Sequence, residues 1–175
     1  MQTIVDEIRN LFKDYSASEI MSIDKLPQSG SDRIYFRILT GNGSYVATFN
    51  QNVKENQTFF KFSSHFKKSD NPVPEIYKIN AEQTLYIQQD FGEVSLLNEL
   101  EEHGLNDYVY GLFQQSLKKL ASLQISGDKN LNYTWCITSK EFGKQAIISD
   151  LLYFKYYFLD PLKIAYDKEK LIDDF

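Results

Sequence analysis

Cysteine is nearly absent from this chain: Cys136 is the only one in 175 residues. A single thiol excludes an intrachain disulfide and a cysteine-based zinc site. Its neighbours Trp135 and Ile137 supply no cation or base to lower its pKa, so Cys136 reads as a small hydrophobe rather than a nucleophile. Histidine is almost as scarce, and His65 and His103 offer neither a paired metal-ligand spacing nor a serine-type triad. No basic block occurs. A net charge of -5, with acids and bases interspersed, argues against a nucleic-acid or anionic-membrane surface. Long apolar runs are missing as well. Leu151 to Leu162 is interrupted by Lys155, Asp160 and Pro161, and Asp6 and Glu7 stand where a signal peptide needs an apolar stretch. The chain therefore reads as cytoplasmic, with small molecules or proteins as the remaining partners. It has no internal repeat and no low-complexity tract.

Aromatic side chains are abundant, with 13 Phe and 12 Tyr, and 42% of the residues are hydrophobic. That content is enough for a core and excludes a disordered chain; the length suits one domain, or a lobe plus an appendage. Ile4, Ile8, Leu11, Phe12 and Tyr15 recur at helical spacing, and Thr3 with Asp6 fits a Ser/Thr-x-x-acid helix start, which predicts a first helix over 3–15. Extended runs at 20–26, 34–39 and 45–50, joined by Ser29-Gly30 and Gly41-Asn42-Gly43, predict an antiparallel meander. Phe59, Phe62 and Phe66 form a stripe over 54–66, with Phe60 alongside, and predict a helix packed on the sheet. Asn71-Pro72-Val73-Pro74 ends it. Two short strands at 75–79 and 84–89 follow, then helices at 94–102, 107–124, 140–159 and 167–175. Val109, Leu112, Phe113, Leu120 and Leu123 mark the expected buried face of the second of these helices.

The most informative motif is Leu26-Pro27-Gln28-Ser29-Gly30-Ser31-Asp32-Arg33, which feeds the alternating run Ile34-Tyr35-Phe36-Arg37-Ile38-Leu39. A small, polar, glycine-containing turn before a strand is how several phosphotransferases lay backbone N–H groups over nucleotide phosphates. It is equally what a plain hairpin needs. Arg33 and Arg37 fall on the same face as Tyr35, opposite Ile34, Phe36 and Ile38; that face is either solvated or lined with useful cations.

With this loop and strand, Val73-Pro74-Glu75-Ile76, Gln89-Asp90-Phe91-Gly92, Leu120-Ala121-Ser122-Leu123-Gln124 and the aromatic segment Leu152 to Leu159 occur in an order that resembles the aminoglycoside phosphotransferase superfamily, in particular its sugar and amino-sugar kinase branch. The resemblance implies an α+β fold: a protein-kinase-like N-lobe over 1–89 with a five-stranded antiparallel sheet and a packed helix, an interlobe hinge at 90–93, and the helical start of an incomplete substrate lobe over 94–175. It implies ATP and magnesium as cofactors and a small-molecule hydroxyl as acceptor, a sugar or amino sugar ahead of choline-like alcohols or homoserine. Gln28, Ser29, Gly30, Ser31, Asp32, Arg33, Glu55, Gln89, Asp90 and Phe91 would bind the nucleotide. By the same resemblance the catalytic and metal-binding residues lie outside the chain, which is expected to be the N-terminal portion of a longer protein and inactive by itself.

Two letter-matches mislead. Asp90-Phe91-Gly92 spells a magnesium motif of protein kinases but follows the fifth strand, where similar enzymes have their hinge. His103-Gly104-Leu105-Asn106-Asp107 lacks an Asp two places after His and reads as one helix stopping and the next being capped. The chain also departs from the pattern in its third strand, where Val46-Ala47-Thr48-Phe49 lacks the phosphate-binding Lys found in many kinases. Arg33, Arg37 or Lys54 would then supply the charge, or loop backbone and metal would serve. Glu55 is either the helix acid that orients a cation or a first-turn acid favoured by the helix dipole. The rival class is a non-catalytic kinase-like interaction module.

Overall fold

The computed structural model describes residues 2–28, 30–137 and 140–174. It divides into two compact units, Met1–Ile137 and Thr138–Phe175.

In the first unit, α1 (Gln2–Lys13) precedes β1 (Ile20–Lys25), β2 (Ile34–Thr40) and β3 (Gly43–Phe49). Then come α2 (Val53–Lys68), β4 (Ile76–Ile79), β5 (Leu85–Gln89), α3 (Leu96–His103), α4 (Asp107–Gly127) and a 3₁₀ turn at Tyr133–Trp135. The five strands form one antiparallel sheet in the order β1-β2-β3-β5-β4, so the fold is α+β as expected. Thr3 lies inside α1 rather than capping it, because the helix already includes Gln2.

Strand alternation sends two different sets of side chains to the two sheet faces. Phe36, Ile38, Ala47, Leu85 and Ile87 face α1 and form the core with Ile8, Leu11 and Phe12; Phe49 and Tyr45 pack against this cluster. Registers Tyr35↔Thr48↔Tyr86 and Arg37↔Val46↔Gln88 put the other set on the opposite face. That is the face on which α2 lies. Phe59 and Phe60 meet Tyr86 there, with ring centroids 5.7 and 4.9 Å away. The rest of the expected stripe turns elsewhere: Phe62 packs on Trp135 and on Phe66, and Phe66 lies against Gly127 of α4. A helix four turns long outreaches the sheet edge, so its C-terminal half finds its cover on later elements.

Ser63 Oγ donates to Pro74 O in the α2–β4 connection, and a hydrogen bond between His65 Nε2 and Gly127 O (2.7 Å) ties α2 to the end of α4. Ser95 caps α3 in a reciprocal box with Asn98. Gly104, with φ +66°, ends that helix and Asn106 caps α4, the stop-and-start read from His103 to Asp107. Along α4, Val109 is buried, but Phe113 and Leu120 are exposed, contrary to expectation. Only one narrow side of that helix meets the rest of its unit.

In the second unit α5 (Lys144–Phe154) begins later than expected and runs into a π-helical segment, Lys155–Leu159, before α6 (Lys168–Asp174). Tyr153 stacks on Tyr157 and Phe154 on Phe158, while Asp160 accepts from Lys155 Nζ and Tyr166 Oη, both at 2.8 Å. No helix among the described residues is long and apolar enough to cross a membrane.

Candidate functional site

The β1–β2 connection is an exposed loop. The hairpin closes where the Leu26 N–H donates to Tyr35 O at 2.9 Å, and Gln28 Nε2 reaches across the turn to Ser31 O at 3.1 Å. Gln28, Gly30, Ser31 and Asp32 are all exposed; Ser29 lies outside the described residues. A Cβ on Gly30 would meet nothing within 4 Å, and its φ is not left-handed. The loop's own conformation therefore places no demand on glycine at this position. Any such demand has to come from a ligand approaching the backbone.

At the end of the loop the chain turns inward. Arg33 Nη2 meets Glu55 Oε1 of α2 at 2.7 Å, and its guanidinium lies 5.4 Å from the centre of the Phe59 ring. Burial alone would lower the Arg33 pKa, but hydrogen bonding with Tyr35 and the fields of Tyr86 and Glu55 outweigh it and hold the guanidinium charged. The cation that Glu55 faces is Arg33. Lys54 is exposed and makes no ion pair among the described residues. Nor are Arg33 and Arg37 a solvated pair, since their side chains are 19% and 12% exposed.

Arg37 does different work. It donates Nε to Asp90 Oδ2 (2.7 Å), Nη2 to Asp90 Oδ1 (3.2 Å) and Gly92 O (2.8 Å), and Nη1 to Glu93 Oε1 (2.6 Å). Asp90 Oδ1 also accepts the Gly92 N–H at 2.9 Å, which folds the linker after β5 into a tight turn with Gly92 at φ +96°. Burial opposes the Asp90 charge. Arg37, the Gly92 N–H and Ser44 more than offset it and hold the carboxyl below its ordinary pKa. The linker 90–93 is non-helical. Both backbone polar groups of Gly92 are committed, whereas those of Phe91 take no partner among the described residues, and the Phe91 side chain is exposed. Gln89 spends its N–H on Glu75 O at 2.8 Å.

Three buried polar atoms on or beside the same sheet face have no hydrogen-bond partner among the described residues: Arg33 Nε, Thr48 Oγ1 and Gln88 Oε1. Next to Thr48, burial pushes the Tyr86 phenol up to about 12. The third-strand side chain on this face is Thr48 rather than Phe49, which packs towards α1. Neither can replace a lysine. The structure brings Arg33 and Glu55 together, and Arg37 with Asp90; Gln28, Gly30, Ser31 and Asp32 lie on the exposed loop and, among the described residues, make no side-chain hydrogen bond or ion pair to either pair.

No family model matches the chain, and no curated protein matches it.

Asn50 and Asn56 were not singled out in the sequence, yet Asn50 donates to the Glu55 carboxylate and Asn56 holds Asn50 at the helix start. The only available signal was the run Asn50-Gln51-Asn52 between a strand and a helix, which reads as capping. A cavity of about 870 Å³ lies away from this site between α1 and the β4–β5 turn, lined by Glu7, Asn10, Lys78 and Asn80 among others. It contains none of the paired or orphaned groups above, so the chemistry points to the Arg33 face instead. Among the described residues no three His, Cys, Asp or Glu side chains gather as a metal-ligand set.

Proposed function

We infer that this chain carries the nucleotide-binding part of a protein-kinase-like phosphotransferase that uses ATP with magnesium to phosphorylate a small-molecule hydroxyl, a sugar or amino sugar by resemblance. The observation that carries this reading is the Arg33–Glu55 ion pair at the exit of the glycine-containing loop. Protein kinases fix the cation that meets the nucleotide phosphates by pairing it with an acid on the helix packed against the sheet. Here a guanidinium stands in for the strand lysine, and its planar fork suits phosphate oxygens. The unpartnered Nε of Arg33 supports the same reading, because a buried N–H without an acceptor is costly unless a ligand completes it.

Arg33 and the loop backbone would hold the phosphates, and the Phe91 peptide on the pinned linker would meet the base. Transfer would then rest on positioning and charge neutralisation. A non-catalytic kinase-like module is the second reading, favoured by Thr48 in the third strand.

ATP titrated into the chain, followed through the ¹⁵N-labelled arginine Nε resonances, tests the choice. Saturable movement of the Arg33 signal is expected, with weak affinity on the order of millimolar. Arg33→Ala and Gly30→Val should each weaken it. An Arg33 resonance indifferent to ATP supports the interaction module instead.

A further inference from the structure

Asn50 stands where β3 gives way to α2 and is 4% exposed. Its amide has one acceptor atom and two donor hydrogens, and all are in use. Oδ1 accepts the Asn52 N–H at 3.0 Å; Nδ2 donates to Glu55 Oε2 at 3.0 Å and to Asn56 Oδ1 at 3.1 Å. Asn56, fully buried, spends its own two Nδ2 hydrogens on the carbonyls of Asn50 (2.8 Å) and Gln83 (2.7 Å). This leaves Asn56 no freedom to rotate and fixes the Asn50 amide by contact. The opposite oxygen of Glu55 receives Arg33. A continuous chain of bonds therefore runs from the β4–β5 turn through two buried amides to a carboxylate and then to a guanidinium.

The choice of an amide is informative. A glutamate in a first helical turn has three side-chain torsions and, with its side chain 35% exposed, is free to swing into water unless held. Asn50 holds it with a neutral donor. A lysine in the same place would share the Glu55 charge with Arg33, and an aspartate would repel it.

We propose that Asn50 and Asn56 are positioning residues for phosphate binding, acting through Glu55 to fix the Arg33 guanidinium. This rests on the reading that Arg33 meets the nucleotide phosphates. Neither amide touches the ligand.

The test is a double-mutant cycle read at the Arg33 Nε–H by its rate of exchange with water, with no nucleotide present. Asn50→Ala should speed exchange about tenfold, the equivalent of one net hydrogen bond lost from the pair. In a Glu55→Gln background the same substitution should add nothing, because the carboxylate it steers is gone. A role confined to shaping the start of α2 through Asn52 would change exchange equally in both backgrounds, and that result, or no change in either, overturns the proposal. Should Asn50→Ala fail to fold, Asn50→Asp keeps the acceptor for the Asn52 N–H and sets a carboxylate against Glu55. Faster Arg33 exchange, again only where Glu55 is intact, is expected of it. Adding ATP separates the two claims. If the wild-type Arg33 signal ignores ATP while the cycle behaves as stated, phosphate binding is wrong and the amide–carboxylate coupling stands. If the signal moves with the same affinity in wild type and Asn50→Ala, phosphate binding stands and the positioning role is wrong.

Discussion

Removing the guanidinium of Arg37 should cost far more than an ordinary surface charge. Asp90 is nearly sealed, with its side chain 3% exposed, and Arg37→Ala deletes two bonds to that carboxylate and one to Gly92 O. Stripping one partner from a buried ion pair costs about 3–5 kcal/mol when the other charge is left deep in the fold. Asp90 keeps the Gly92 N–H and the Ser44 hydroxyl, and it lies under a thin cover of atoms rather than in the main core. Those two facts reduce the expected loss to about 2–3 kcal/mol, equivalent to a melting-temperature drop of roughly 5–10 °C. Contact with Glu93, whose side chain is 77% exposed, adds little.

The pH dependence gives a sharper signature. In the wild type the Asp90 pKa is depressed, so its contribution is present above the unfolded value of about 3.9 and is lost as pH falls through the folded pKa. In Arg37→Ala burial is offset only by the Gly92 N–H and Ser44, and the carboxyl pKa rises. Its penalty is then present at neutral pH and vanishes as pH falls through the raised value. The gap between the two proteins should be widest at neutral pH and close as pH falls through the depressed folded pKa of the wild type. Urea unfolding followed by the fluorescence of Trp135, the only tryptophan, measures it. A gap below about 0.5 kcal/mol at pH 7, unchanged on acidification, would mean that the pair behaves as a solvated bridge and that the linker is not pinned.

Gly30→Val should leave the melting temperature unchanged, since nothing lies within 4 Å of a Cβ there, while raising the ATP concentration needed for binding. Gly92→Ala, at φ +96°, should instead cost about 1–2 kcal/mol by thermal denaturation, with faster amide exchange along 91–94. Gly127→Ala would place a Cβ 2.8 Å from Phe66 Cε1, and the displaced ring should cost about 1–3 kcal/mol of stability; an unchanged urea midpoint would show that α2 and α4 are not in tight contact. Phe12→Ala empties a fully buried site between α1 and the sheet and should lose about 3–5 kcal/mol in the same assay. Finally, the purified chain with ATP, magnesium and an amino sugar should release no more sugar phosphate than a blank without protein, because the resemblance assigns none of its residues a catalytic role.

Local rules explain most of what was legible in the sequence. Alternation at 34–39, the Gly41-Asn42-Gly43 turn and the apolar spacing of Ile4, Ile8, Leu11 and Phe12 each depend on neighbours a few residues away, and the strands and first helix appeared where those rules put them. Helix ends were legible at Gly104 and Asn106 because a left-handed stop and a side-chain cap are properties of single residues. The stripe on α2 and the face of α4 were only partly legible. Periodicity says which side of a helix is apolar, not what covers it, and Phe62, Phe66, Phe113 and Leu120 were decided by where neighbouring elements end.

By itself, then, the sequence determined the alternation of strand and helix, the single cysteine that leaves no partner for an intrachain disulfide, and the loop that ends at Arg33. Tertiary structure alone decided the strand order β1-β2-β3-β5-β4, the pairing of Arg33 with Glu55, the clamp between Arg37 and Asp90 and the buried amides around Asn50. The reason is geometric. Periodicity assigns a charged side chain to a face, but which opposite charge it meets depends on how the sheet is ordered and where a helix crosses it, and Arg37 and Asp90 are 53 residues apart in the chain.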